Sequence, residues 1–231
     1  MKTIGLIGGM SWESSIEYYR IINQETRKRL GALHSAKSVM ISVDFAEMAL
    51  LQAEGRWEEA AVLLAAAGRS IEAAGADFIV LCTNTMHKVA AEIQSSINIP
   101  LLHIADATAG KIKEEGIRSV ALLGTRFTME EDFYKGRLKQ LFGLEVLIPD
   151  PDEIASVNRI IYDELCVGKI LPESQSIYTA VMEKLVQKGA RGIILGCTEI
   201  GLLVKQADSP VPLFDTTGIH AEAAVRFALE E

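Results

Sequence analysis

Eight short apolar runs are spaced along the chain: "TIGLIG" at 3–8, "SVMISVDF" at 38–45, "DFIVLC" at 77–82, "PLLHI" at 100–104, "SVALLG" at 119–124, "LEVLIP" at 144–149, "GIILGC" at 192–197 and "VPLFD" at 211–215. Each is too short for a buried helix and is rich in Val, Ile or Leu, so each predicts a strand. Between them lie amphipathic stretches such as "WEEAAVLLAAAGRSIEAAGA" at 57–76, which predict helices. Strands alternating with helices imply parallel sheets under helical cover, an α/β fold.

The pattern also repeats. "KTIGLIGGMSWESSIEYY" from Lys2 resembles "RSVALLGTRFTMEEDFYK" from Arg118, at an offset of 118 − 2 = 116. "GADFIVLCTNT" from Gly75 matches "GARGIILGCTE" from Gly189 at 189 − 75 = 114, and "IPLLHIAD" from Ile99 matches "VPLFDTTG" from Val211 at 211 − 99 = 112. Any α/β chain repeats strand, glycine and helix, but the shared G-A-x-x-I-[VI]-L-[CG]-x-[TN] string is more specific than that. Three matches in one order, at nearly one offset, predict two pseudosymmetric lobes, 1–112 and 113–231, with the last helix able to pack back on the first.

Both repeated strands end in polar clusters, and in an open parallel sheet ligands bind beyond the carboxyl ends of the strands. In "IVLCTNTMHK", residues 79–88, the apolar run stops at Cys82, Thr83, Asn84 and Thr85. The 114-residue offset sets Cys82 on Gly196, Thr83 on Cys197, Asn84 on Thr198 and Thr85 on Glu199. Two lobes facing one another would bring Thr83 and Cys197 to opposite sides of one cleft. Each cluster precedes a predicted helix, "MHKVAAEIQSSI" or "EIGLLVKQ", whose N-terminal N–H groups would welcome an anion and favour thiolate at Cys197. Cys82 falls inside its strand and reads as a buried, inert thiol. Cys166, in "IIYDELCVGK", reads as structural.

Charge and cysteine usage narrow the partners. The 31 acidic and 23 basic residues give a formal charge of −8, with no long basic cluster, so nucleic acid is not an expected partner. No apolar run approaches the ~20 residues of a membrane span. "MKTIGLIGGM" has too short an apolar stretch for a signal sequence, so a cytoplasmic location is expected. Three Cys cannot form a closed disulfide set, and the spacings that metal sites favour are missing, so no metal is expected.

The segments "IGLIGGMSWESSIEYY", "TNTMH", "HIADAT", "ALLGTRFTM", "GCTEIG" and "FDTTGIHAE" together resemble the aspartate/glutamate racemase family, with a close match to its bacterial L-aspartate/glutamate-specific amino-acid racemases. The resemblance covers essentially the whole chain. It implies two pseudosymmetric α/β lobes with the active site between them, no pyridoxal phosphate or other cofactor, an amino-acid substrate and a homodimer. It further implies that two side chains flank the substrate Cα, one removing a proton and the other returning one from the far face. Most family members carry cysteine in both places. Here Gly196, Cys197 and Thr198 match the second motif, whereas the first reads Thr83, Asn84, Thr85. A hydroxyl is a far weaker acid than a thiol at ~8.5, by roughly 7 pKa units or ~10 kcal/mol. Thr83 is thus a poor base but a usable donor to a carbanion, which predicts an asymmetric enzyme. By resemblance Cys197 faces the Cα–H of the L-isomer.

Asn84, Thr85 and Thr198 correspond to the family's grip on the α-carboxylate, where donors stabilise developing enolate charge. Met10 reads either as a substrate contact or as core. Gln52, placed in the loop after the second strand, reads as a substrate contact or a solvated helix residue. Glu199 either holds the substrate ammonium or caps its helix. Many relatives carry lysine where Cys166 stands, implicated in binding the distal acid, and its loss widens the expected substrates beyond aspartate and glutamate to neutral polar amino acids. His87 either tunes Thr83 or caps a helix. His103 and His220 read as backbone hydrogen-bonders, and His34 lies in a loop.

Rival readings remain. A nucleotide-binding module fits poorly, because glycines 5, 8 and 9 are not G-x-G-x-x-G and the next strand ends about 35 residues on rather than ~20. Hydantoin racemisation, maleate isomerisation and arylmalonate decarboxylation use the same scaffold. A catalytically weakened amino-acid-binding protein is the third alternative.

Overall fold

The computed structural model describes residues 1–230. Contacts divide the chain into two compact units, Met1–Ile104 with the residues from His220 onward, and Ala105–Ile219. The chain changes unit after Ile104 and again after Ile219.

The first unit contains β1 (Ile4–Gly8), α1 (Trp12–Leu30), β2 (Ser38–Ser42), α2 (Phe45–Ala53), α3 (Trp57–Ala73), β3 (Phe78–Leu81), a 3₁₀ turn (Thr85–Val89), α4 (Ala90–Ser95) and β4 (Leu101–Leu102). Its sheet runs β2-β1-β3-β4, with every pairing parallel. Strands β1 and β3 are buried throughout, as the centre of a parallel sheet requires, which is why they read as unbroken apolar runs. Period-2 alternation divides their side chains between two cores. Ile7, Ile79 and Leu81 pack with Met48, Leu64, Ile71 and Ile93 from α2, α3 and α4. Ile4, Leu6, Phe78 and Val80 pack with Tyr18 and Ile22 of α1 and with Ala221, Ala224, Val225 and Ala228 from the last helix. The Ser11 hydroxyl caps α1 by accepting from the Ser14 N–H, and the helix lays Ser15, Tyr18, Ile22 and Thr26 on the sheet at helical spacing.

The second unit contains α5 (Ile104–Glu114), β5 (Ser119–Gly124), α6 (Arg126–Glu130), α7 (Asp132–Phe142), β6 (Glu145–Leu147), α8 (Pro151–Asp163), a 3₁₀ turn (Leu165–Val167), α9 (Pro172–Gln187), β7 (Ile193–Gly196), α10 (Ile200–Leu203), a second 3₁₀ turn (Gln206–Asp208) and β8 (Leu213–Asp215), while α11 (Thr216–Leu229) starts there and from His220 belongs to the first unit. Helix α8 starts as its sequence dictates, with Pro151 in the first turn and a reciprocal capping box between Asp150 and Glu153. It buries Ile154, Val157, Ile160 and Ile161, worth ~1.5–3 kcal/mol each. Among the described residues no helix is long and apolar enough to cross a membrane.

The second sheet runs β6-β5-β7-β8, again parallel. Adding four to each strand number of the first sheet reproduces this order. The register agrees residue by residue: Ile7 pairs Leu81 and Leu123 pairs Leu195, while Ile79 pairs Leu101 and Ile193 pairs Leu213. Those partners are related by the offsets of 116, 114 and 112 found in the sequence, so the repeat is structural and not a coincidence of α/β composition.

At the carboxyl ends of β5 and β7, Gly124 pairs Gly196. A Cβ on Gly124 would meet the Gly196 carbonyl oxygen at 2.7 Å, and backbone cannot yield as a flexible side chain would. Gly110, on an exposed turn of α5, has nothing within 4 Å of the same added atom. Gly124→Ala is therefore expected to lower stability in urea unfolding by about 1–3 kcal/mol. Gly110→Ala is expected to raise it by about 0.5–1 kcal/mol. Equal effects would refute the close approach at Gly124.

Candidate active site

In the first unit the ladder continues one residue past β3, where the Cys82 N–H donates to Ile7 O at 2.9 Å. The Cys82 thiol is fully buried, and burial alone pushes its pKa far above the ordinary thiol value. It is the inert strand cysteine expected. The chain then turns, with the Thr83 N–H donating to Leu81 O at 2.9 Å. Thr83 retains 7% exposure and Asn84 and Thr85 are buried beside it. The helix expected to follow directly is a 3₁₀ turn and then the six-residue α4. Its N-terminus therefore offers little of the dipole field a longer helix would provide.

Gln52 lies within α2 and not in a loop, and it is buried, its amide donating to the Met86 sulfur at 3.0 Å. Met10 is also buried, in the core shared by Met48, Leu51 and Met86. Both side chains thus belong to the packed side of the first unit.

In the second unit β7 delivers Cys197, Thr198 and Glu199. All three are nearly buried, Cys197 with 7% exposure. The Cys197 thiol donates to Glu199 Oε2 at 2.9 Å, and the Thr198 hydroxyl donates to the same oxygen at 2.7 Å. Glu199 makes no side-chain cap on α10, so its carboxylate serves the two preceding residues instead. Burial pushes the Cys197 thiol well above its ordinary pKa, and the charges of Glu199 and Cys166 push further. The Glu199 backbone N–H favours thiolate, but as the smallest of these influences. The expected thiolate-stabilising helix end is overruled, because α10 is only four residues long while the carboxylate is in contact.

Cys166 is half-buried and packs, with Tyr162, against the core that contains Cys197. Burial first, and then the charges of Cys197, Cys166 and Glu199, push the Tyr162 hydroxyl far up. Cys197 therefore sits among Glu199, Thr198, Cys166 and Tyr162. Sequence reasoning missed Tyr162; its i, i+4 spacing to Cys166 was visible, but which neighbour that face meets depends on tertiary packing. The ring of His87, read from the sequence either as tuning Thr83 or as capping a helix, places its Nδ1 2.7 Å from the Thr83 carbonyl oxygen. Among the described residues no group of three or more His, Cys, Asp or Glu is arranged to hold a metal ion.

The Asp/Glu/hydantoin racemase family model matches residues 7–224. The chain belongs to that family, a family of isomerases. A broad-specificity amino-acid racemase from Bacillus subtilis is 30% identical over 155 residues, 67% of this chain and 66% of that relative. A Yersinia pestis protein provisionally assigned as an Asp/Glu racemase superposes with a TM-score of 0.93 at 57% identity, covering 100% of both chains. An aspartate racemase homologue from Pyrococcus horikoshii superposes with a TM-score of 0.86 at 36% identity, also over 100% of both. The paired parallel sheets under helical cover are thus the fold of the Asp/Glu racemases.

The electrostatics of Cys197 can be tested directly. Glu199→Gln removes the negative charge beside the thiol and is expected to lower the Cys197 titration midpoint while leaving it above an ordinary thiol, because burial remains. The Cys197 ¹³Cβ shift, followed against pH and assigned with Cys197→Ser, reads this. A midpoint unmoved by the substitution would show that the carboxylate does not act on the sulfur.

Proposed function

We propose that the protein is a cofactor-independent amino-acid racemase in which Cys197 and Thr83 exchange the Cα proton on opposite faces of the substrate. The observation that carries this reading is the strand register. It makes Thr83 and Cys197 equivalent positions, each two residues beyond equivalent partners in β3 and β7. Family membership supplies the reaction class, and the contact between Cys197 and Glu199 supplies a path for the thiol proton.

The substrate completes the electrostatics in this mechanism. Its ammonium group offsets the Glu199 carboxylate, removing one cause that holds the Cys197 proton on sulfur. The thiol proton leaves through Glu199 to solvent, the thiolate takes the Cα proton of the L-isomer, and Asn84, Thr85 and Thr198 stabilise the charge that develops on the α-carboxylate. The Thr83 hydroxyl protonates the carbanion from the other face, and solvent restores its proton. In the reverse sense Thr83 must act as base, across the gap of ~10 kcal/mol between hydroxyl and thiol acidity. Acidic amino acids and neutral polar ones are the proposed substrates, the latter because Cys166 brings no positive charge to a side-chain carboxylate.

The asymmetry has a particular signature. Enantiomers are equal in free energy, so net racemisation must have equal kcat/KM in both directions. The imbalance appears in isotope exchange, with L substrate acquiring solvent deuterium faster than it racemises. In D2O, across a panel of L and D amino acids, Cys197→Ser is expected to cut exchange by about 10²–10⁴-fold, the contribution of one positioned acid or base. Thr83→Cys is expected to raise exchange from D substrate. Equal wild-type exchange from both enantiomers would defeat the asymmetry. Substrate binding with no exchange at all would support instead the amino-acid-binding protein that the Thr83 hydroxyl also permits.

A further inference from the structure

The ring of His87 joins the ends of two strands. Its Nδ1 lies 2.7 Å from the Thr83 carbonyl oxygen, and its Nε2 lies 3.2 Å from the backbone nitrogen of Ile104. A backbone N–H can only donate and a carbonyl can only accept, so Nε2 carries the lone pair and Nδ1 carries the hydrogen. The ring is 3% exposed, and both of its nitrogens are engaged by backbone.

This arrangement follows from the local fold. Because residues 85–89 form a 3₁₀ turn, the His87 N–H donates to Asn84 O at 3.0 Å rather than to Thr83 O. An α-helix would have satisfied the Thr83 carbonyl with that same N–H. The His87 side chain takes the place of the displaced amide and fixes the peptide plane joining Thr83 to Asn84. Strand β4 neighbours β3, with Val80 paired to Leu102, so the backbone at Ile104 lies within reach of the other ring nitrogen.

The ring is itself held. His103 lies against it with centroids 4.5 Å apart, and the His220 centroid is 6.0 Å away. His220 Nε2 donates to Leu102 O at 2.9 Å, which leaves Nδ1 to accept from the Tyr18 hydroxyl at 2.9 Å. The backbone on both sides of His87 is thereby tied to buried aromatic side chains and not to solvent.

We infer that His87 is a positioning residue for the proton transfer at Thr83: it holds the Thr83 carbonyl and so orients the Thr83 hydroxyl. The inference rests on the racemase reading above, since it concerns that reaction's Thr83 face. It goes further by assigning a role to a residue remote from the reacting atoms.

Two variants and one spectroscopic measurement test it. His87→Leu removes the ring donor, whereas His87→Asn keeps an N–H at nearly the position of Nδ1. In D2O, His87→Leu is expected to lower exchange from D substrate, and racemisation, at least about tenfold, while exchange from L substrate stays within about twofold; His87→Asn is expected to recover most of the loss. Equal losses from both enantiomers, or no recovery with Asn, would reduce His87 to a structural part and overturn the inference. If the wild type exchanges no amino acid, the racemase reading fails, and the inference falls with it. Separately, the ¹⁵N shifts of the His87 ring, assigned with His87→Asn, are expected to report hydrogen on Nδ1; hydrogen on Nε2 overturns the inference even in an active enzyme.

Discussion

A parallel strand buried on both faces leaves no room for a polar side chain, so this chain's chemistry has to wait until the strand ends. Strands β3 and β7 obey that constraint identically: four buried residues, then a turn carrying small polar groups. The pairing of β1 on β3 and of β5 on β7 sets where each strand stops, and with it where Thr83 and Cys197 emerge. Shifting either pairing by one residue would exchange side chains between the two faces of the sheet and move the end of the strand, and the polar cluster with it, against its neighbour. The position of the chemistry is thus a by-product of core packing.

Burial then works against the chemistry it positions. A thiol drawn into apolar surroundings holds its proton, and Glu199, whose carboxylate accepts from both Cys197 and Thr198, strengthens that hold. The second unit therefore favours the neutral thiol at Cys197. A cationic group brought near the carboxylate would offset that part of the hold and leave the part due to burial.

Much of the architecture was legible in the sequence, and the limits have identifiable causes. The eight strands, the two-fold repeat and its offsets could be read because central strands are uninterrupted apolar runs and register preserves spacing. Cys82 was legible as inert because it precedes the polar residues. Helix length after each cluster was not: Val204 is already extended, ending α10 where apolar pattern alone would carry it on. The protonation preference of Cys197 was misread for the same reason, since a full helix was credited with a field that four residues do not supply. Gln52 was assigned to a loop although Asp44 caps a helix that contains it. The His87 bonds depend on a 3₁₀ turn and on the neighbour strand β4, neither of which has a local signature.

The equivalence of Thr83 and Cys197 within one polypeptide has an evolutionary consequence. Were the two halves separate copies of one gene product, any replacement at this position would appear twice, and both strands would deliver the same side chain. Covalent duplication lifts that restriction, because each codon can drift alone. A threonine in one half and a cysteine in the other is the kind of specialisation that only a fused ancestor could explore.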